Sequence, residues 1–238
     1  MTAPKETVIA AHPTNYRKGR RKPIRLIVLH DGEVPENSSS AEGMGRWFAQ
    51  YHGPGKASST HKGVDTDSIC TYLSDYDTAA AAPGANDDGL HLELSGYARQ
   101  TAAQWDDAPS RLILANGALV VSRWCRKHKI PARWLSDAQL RDGTTKGLTT
   151  HRQVTRVLRN GVGHTDPGPA FPATKFLAMV KKTLYPVTYH TVKSGDTLSA
   201  IAQRYYGKAS LYTVIADANR LRPPYLIIPG QKLLIPRR

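Results

Sequence analysis

The apolar residues of the chain form patterns of different period, and the period predicts the element. Leu26-Ile27-Val28-Leu29, closing in His30-Asp31, is a near-continuous apolar run of the kind a central strand shows when both faces are covered. Leu90-His91-Leu92-Glu93-Leu94 alternates with period two, with three leucines on one face and His91 and Glu93 on the other. Thr66-Asp67-Ser68 reads as a turn and Ile69–Leu73 as a returning strand. Ser38-Ser39-Ser40-Ala41-Glu42 has the hydroxyl cap and first-turn acid of a helix start, and that helix carries Met44, Trp47 and Phe48 on one side before Gly53-Pro54-Gly55. Arg111–Cys125 is spaced as a long, largely buried helix, and Val154–Leu158 as a short amphipathic turn or helix. Phe171–Val180 is a further helix, with Lys181-Lys182 at the end the dipole favours. Strands alternating with helices predict an α/β fold.

Three stretches lack such patterning. Residues 1–23 are polar and basic and read as a solvated arm. Ile130–Ser136 reads as a loop with an exposed Trp134, able to stack on a sugar or to pack. Asp137–Gly147 reads as a polar connection.

Patterning resumes after a short linker, Thr183–Pro186. Tyr189/Thr191 and His190/Val192 alternate as a strand. Asp196 or Thr197 caps a helix carrying Leu198, Ile201, Ala202 and Tyr205. Leu211, Val214, Ile215 and Ala218 mark a second helix, and Lys232–Ile235 a returning strand. The result is a βααβ unit of about fifty residues, too small for more than modest stability. The expected division is therefore 1–182, a linker at 183–186, and 187–238.

The chain's 238 residues suffice for one ordinary domain plus this small one. No stretch approaches the roughly 20 apolar residues that would span a bilayer, so membrane insertion is not expected. Met1-Thr-Ala-Pro-Lys-Glu has no apolar core for export, so no signal peptide is expected. A net charge of +14 suits nucleic acid, a polyanionic surface or simple solubility. The charge is spread over both units without a nucleic-acid motif, which argues against nucleic acid and leaves a polyanionic surface and solubility open. Cys70 and Cys125 do not make a disulfide framework and read as buried thiols.

The candidate chemistry centres on Thr150-His151-Arg152-Gln153 and Gly163-His164-Thr165-Asp166-Pro167-Gly168-Pro169. Here two histidines and an aspartate lie within sixteen residues, ahead of a rigid turn. Imidazole and carboxylate suit zinc, whose catalytic sites take three protein ligands and keep a fourth position open. His30, at the end of its apolar strand, is the candidate third ligand, because α/β folds place their sites at strand ends. Glu93 among leucines is costly unless it is ion-paired or has a task, such as that of general base.

Strand-His30-Asp31, Leu90–Tyr97, Thr150-His151-Arg152 and His164–Pro169, in that order, resemble the zinc N-acetylmuramoyl-L-alanine amidases of the amidase/peptidoglycan-recognition family. The form is that of endolysins from phages of actinobacteria, and the likeness spans most of residues 8–180. It implies a mixed central sheet flanked by helices, one zinc ion on His30, His151 and Asp166, and Glu93 as base. His164 stands where relatives carry a helpful lysine; it would donate to the oxyanion or, alternatively, replace His151 as ligand. Thr60 and His61 would wall the cleft, with Trp134 a further candidate. Relatives have a cleft histidine near Thr78–Ala82, and this chain has none. The unit from Val187 resembles a LysM module, which implies N-acetylglucosamine-containing glycan bound by Gly195, Asp196, Thr197 and Leu198 on one loop and Ile227 and Ile228 on the other. Together these imply a monomeric hydrolase of the bond between N-acetylmuramic acid and L-alanine, with peptidoglycan as its partner. It would be made in a host cytoplasm and released through holin lesions. A non-catalytic peptidoglycan binder and a stem-peptide endopeptidase are the alternatives.

Overall fold

The computed structural model describes residues 3–185 and 187–236. Pro186, in the expected linker, and the extreme ends of the expected domains lie outside the described residues. The chain divides into two compact units, 1–184 and 185–238. The first unit carries, in order, β1 (Lys5–Val8), β2 (Tyr16–Arg17), β3 (Leu26–Asp31), α1 (Ser40–Phe48), β4 (Lys62–Val64) and β5 (Ser68–Thr71). Then follow β6 (Thr78–Ala79), β7 (Gly89–Leu94), α2 (Ala108–His128), α3 (Asp137–Arg141), β8 (Gly147–Thr150), α4 (His151–Leu158) and α5 (Ala173–Leu184).

Six strands form one mixed sheet in the order β1-β5-β4-β7-β3-β8. Only the β4–β5 pair is antiparallel. The fully buried strands β3 and β7 lie at its centre, as an unbroken apolar run and a leucine alternation demand. Ile27 and Leu29 of β3 and Leu90, Leu92 and Leu94 of β7 face a core built with α2 and α5, including Ile113, Leu114, Phe176 and Val180. Leu26 and Val28 face the other way, against Leu135, Leu140, Val154 and Val157. The sheet is therefore the middle layer of three, and His30 and Glu93, paired in register on adjacent strands, share the second face.

Three expectations change. Residues 5–8 are not a solvated arm: β1 adds a parallel edge strand to β5. Further along that stretch, Arg20 reaches inward to the carbonyls of Asp75 and Gly89. The polar connection holds a helix, α3, opened by a capping box between Ser136 and Gln139. The last helix runs to Leu184, past the expected end at Lys182, because Leu184 is buried in the core. Both cysteines are free and buried, and burial pushes each thiol up to about 12.

The second unit pairs β9 (Thr188–Thr191) antiparallel to β10 (Lys232–Ile235), with α6 (Leu198–Tyr206) and α7 (Tyr212–Ala218) between them. Val192, Leu198, Ile201, Ala202, Ile215, Ala216, Leu233 and Ile235 make its core. Thr197 caps α6, accepting from the Ala200 N–H at 3.1 Å.

Candidate metal centre and active-site cleft

The ends of β3, β7 and β8 open into a cleft of about 660 Å³. His30 reaches it from the end of β3. His151 is the first residue of α4, which Thr150 caps by accepting from the Gln153 N–H at 3.1 Å. Asp166 arrives on the following loop, which is docked on the same helix start because the Arg152 N–H donates to the Asp166 carbonyl at 2.7 Å. Gly168 makes this approach possible. A Cβ there would lie 2.7 Å from the carbonyl carbon of Ala98 and closer still to its oxygen.

The three side chains converge. Asp166 Oδ2 lies 3.1 Å from His30 Nδ1, and Oδ1 lies 2.9 Å from His151 Nδ1. Among the described residues, this is the one group of three or more metal-ligating side chains whose ligand atoms all fall within 4.8 Å of one another. Tetrahedral ligands at ~2.0–2.2 Å from zinc stand ~3.3 Å apart, so the spacing fits. The protonation states fit as well. Burial pushes the Asp166 carboxyl up, but hydrogen bonds from His151 and His30 and their charges outweigh it and hold the group well below the usual carboxylate range. Burial holds His30 below the ordinary imidazole value against the pull of Asp166. An ionised aspartate beside a neutral histidine is what metal binding requires.

Glu93 stands beside His30 on the neighbouring strand and lines the same cleft. It is 8% exposed, and its Oε2 has no hydrogen-bond partner. Burial, then the charges of Asp166 and Asp31, raises its pKa well above the ordinary carboxylate value. Among the described residues no cation pairs with it, so the ion-paired role finds no support there. His164 is exposed at the cleft rim, with its ring stacked on that of His151 at 5.2 Å between centroids. It lies outside the three-residue ligand group.

The cleft assignments part company with the structure at two residues. Thr60 lines the cleft. His61 does not: it is fully buried behind the site, its ring stacked on His91 at 5.7 Å. Trp134 is not on the cleft either. Its Nε1–H donates to the Ala173 carbonyl at 3.0 Å, and its ring packs on Phe171 and Phe176. The exposed aromatic of the cleft is instead Trp47 of α1, 48% exposed beside Met44 and Phe48. Across His151 and His164 a second hollow continues the groove, lined by Lys56, Asn86 and Arg159 among others.

In the second unit Gly195 is exposed with φ +86°. Asp196 is tied down locally, accepting from the Lys193 N–H at 2.8 Å and from His190 Nε2 at 2.7 Å. The Leu198 side chain belongs to the core, and Ile227 packs against it, whereas Leu226 and Ile228 are 76% and 67% exposed. Of these apolar side chains, then, Leu226 and Ile228 are the exposed ones.

A mixed sheet with two imidazoles and a carboxylate converging at its strand ends, and a buried glutamate beside them, has the side chains that could hold a metal ion in a hydrolase-type site. Residues 20–169 match the N-acetylmuramoyl-L-alanine amidase family model, and residues 190–236 match the LysM domain. The chain belongs to the N-acetylmuramoyl-L-alanine amidase family and carries a LysM domain. The Staphylococcus aureus hydrolase AmiA, solved with its ligand, is similar in fold, with a TM-score of 0.55 at 16% identity over 77% of this chain and 87% of that one. A mutant endolysin from Bacillus subtilis gives 0.50 at 14% identity, over 74% and 99%. The Escherichia coli potassium binding protein Kbp is 53% identical over 60 residues. Those residues are 23% of this chain and 40% of Kbp, so the chain spans less than half of that relative.

Proposed function

We propose that the chain is a zinc-dependent peptidoglycan hydrolase of the endolysin kind. It cleaves the amide between N-acetylmuramic acid and L-alanine while the LysM unit holds the glycan. The convergence of His30, His151 and Asp166 beside Glu93 in one cleft carries this reading.

Zinc held there would supply a water nucleophile at neutral pH and polarise the scissile carbonyl. The remaining work belongs to the chain. Glu93, as the carboxylate, takes a proton from the attacking water, its surroundings favour holding that proton, and it delivers it to the leaving nitrogen. His164 at the rim donates a hydrogen bond to the developing oxyanion, a contribution worth about 3 kcal/mol in comparable sites. The Gly168–Ala98 contact fixes the loop that presents Asp166. Trp47 offers a half-exposed ring to a sugar, and Lys56 and Arg159 offer positive charge to stem-peptide carboxylates. The net charge of +14 favours approach to a polyanionic wall. For a phage lysin, that wall is reached after lesions open in the host membrane. Among the described residues no helix is long and apolar enough to cross a membrane.

Mass spectrometry of digested cell wall, paired with metal analysis, tests the proposal. Intact stem peptides released from lactyl-bearing glycan are expected. New termini within the stems would make the protein an endopeptidase, and no products with wall binding retained would make it a binder.

A further inference from the structure

The catalytic reading leaves two fully buried histidines, His91 and His61, without a role. His91 lies two residues before Glu93 on β7, so it shares the site's face of the sheet. Its Nδ1 is 3.0 Å from His30 Nε2. On the far side, the His91 backbone N–H donates to His61 Nδ1 at 3.0 Å, and the two rings stack with 13° between their planes. His61 is braced in turn: its Nε2 lies 2.7 Å from Arg20 Nη2 and 3.2 Å from the Asp77 carbonyl oxygen. The three imidazoles form a file running from the candidate metal ligand back into the protein.

All three rings are buried, and a neutral imidazole carries a single hydrogen. Two neutral imidazoles joined through Nε2 and Nδ1 have two arrangements. In the first, His91 Nδ1–H donates to His30 Nε2, and His30 keeps its hydrogen on Nδ1, toward Asp166. In the second, His30 Nε2–H donates to His91 Nδ1, and the hydrogen of His91 lies on its own Nε2. Only the second leaves a lone pair on His30 Nδ1, the nitrogen that faces Asp166 and His151. Passing from the first to the second moves one hydrogen from Nδ1 to Nε2 on each ring, with no net gain or loss of protons.

We propose that His91 is a positioning residue. It accepts the Nε2–H of His30 and so sets the tautomer and ring orientation that turn His30 Nδ1 toward the metal, while His61 braces it from behind. The proposal rests on the metal reading of the site. Two further observations support it. The bond to His30 is the one side-chain hydrogen bond His91 makes, and its other nitrogen, Nε2, is buried without a partner. A side chain that leaves a nitrogen orphaned carries a cost that packing alone would avoid with an apolar residue. Gly89 also gives the ring room, since a Cβ there would come within 2.9 Å of His91 Nε2.

The test uses the full chain, nitrogen-15 labelled at histidine, with and without zinc, together with zinc affinity by chelator competition. On zinc loading, wild type should show a through-hydrogen-bond coupling between His30 Nε2 and His91 Nδ1, and His30 Nδ1 should lose its hydrogen. His91→Leu should bind zinc roughly 10–100-fold more weakly, the range seen when such partners are removed. His91→Asn, whose amide oxygen can take the place of Nδ1, should recover most of that affinity. A folded Leu variant that binds zinc as tightly as wild type overturns the proposal, as does an Asn variant no better than Leu. If the Leu variant does not fold, the wild-type spectrum decides: zinc binding without the coupling overturns the proposal alone. A wild type that takes up no zinc overturns the metal reading and this one with it.

Discussion

Gly168→Ala is the sharpest test of how the site is held, because it adds one methyl group two residues from a candidate ligand. A Cβ at this position would stand 2.7 Å from the Ala98 carbonyl carbon, and its oxygen would have to retreat by more than 1 Å to reach the 3.0 Å that real Cβ contacts respect. The obstacle is backbone, so no rotamer change relieves it. Either the 163–168 loop lifts, or the Ala98 segment yields. Overpacking of this kind costs about 1–3 kcal/mol, and a clash with backbone belongs at the upper end. If the loop lifts, Asp166 leaves the two Nδ1 atoms it now meets at 3.1 and 2.9 Å. A penalty of about 2–3 kcal/mol on the ligand-competent arrangement then appears as a roughly 30- to 150-fold loss of zinc affinity with little change in metal-free melting. If Ala98 yields, the cost appears in melting instead, at about 2–4 °C per kcal/mol for a unit of this size. Gly161→Ala is the control. It lies in the same connection, has φ +83° and has nothing within 4 Å, so its cost is backbone strain without a clash. Chelator competition and thermal melting on the three proteins separate these outcomes. A Gly168→Ala protein that matches wild type in both would show that the contact with Ala98 does not position Asp166.

Glu93→Gln should lower hydrolysis roughly 10²- to 10⁴-fold while one zinc per chain is still taken up from excess metal, measured by product release and metal analysis; failure to take up zinc even in excess would assign the residue to the ligand shell instead. His61 titrates at about 3 in the fold against 6.5 when exposed. The unfolded chain therefore binds a proton that the fold refuses, and stability present above pH 6.5 is lost as pH falls toward 3, by roughly 5 kcal/mol at the full shift. Urea midpoints across that range should show this slope flattened in His61→Asn. In the second unit, Ile228→Ser should weaken pull-down on insoluble peptidoglycan with melting unchanged, whereas Ile227→Ser should lower melting first, because Ile227 packs on the core and Ile228 does not.

What was legible in the sequence follows from how local each determinant is. β3 and β7 could be read because burial on both faces writes itself into every residue. The helices α2 and α5 could be read because their stripes recur at helical spacing. His30, His151, Asp166 and Glu93 carry chemistry that a buried position does not tolerate idly, and motif order brought them together. α3 was legible too, in Ser136-x-x-Gln139, but the polar run around it hides that signal. Trp134 and His61 were not legible. Whether an aromatic at a loop faces solvent depends on what α5 places over it, here the Ala173 carbonyl and Phe176. His61 is buried because β7 supplies a partner thirty residues away. β1 has four residues, largely exposed, and depends on pairing with β5, so nothing in its own pattern distinguishes it from an arm.

On the proposed reading, the buried charges give the ion a task beyond supplying the nucleophile. Glu93 holds its proton tightly because it is buried and because Asp166 and Asp31 lie near. Asp31 is pushed up to about 8 by its own burial and then by Asp166 and Glu33, and neither of its oxygens has a hydrogen-bond partner. Without a cation, ionised Asp166 therefore works against the ionisation of both Glu93 and Asp31. A dication on His30, His151 and Asp166 reverses the sign of the field at Glu93, and linkage requires the reciprocal: ionised Glu93 tightens the cation. The charge proposed to prepare the water would thus also prepare the base that receives its proton. On the proposed reading, an empty site favours the protonated form of Glu93 and a loaded site its carboxylate, which would couple the base to metal occupancy through electrostatics.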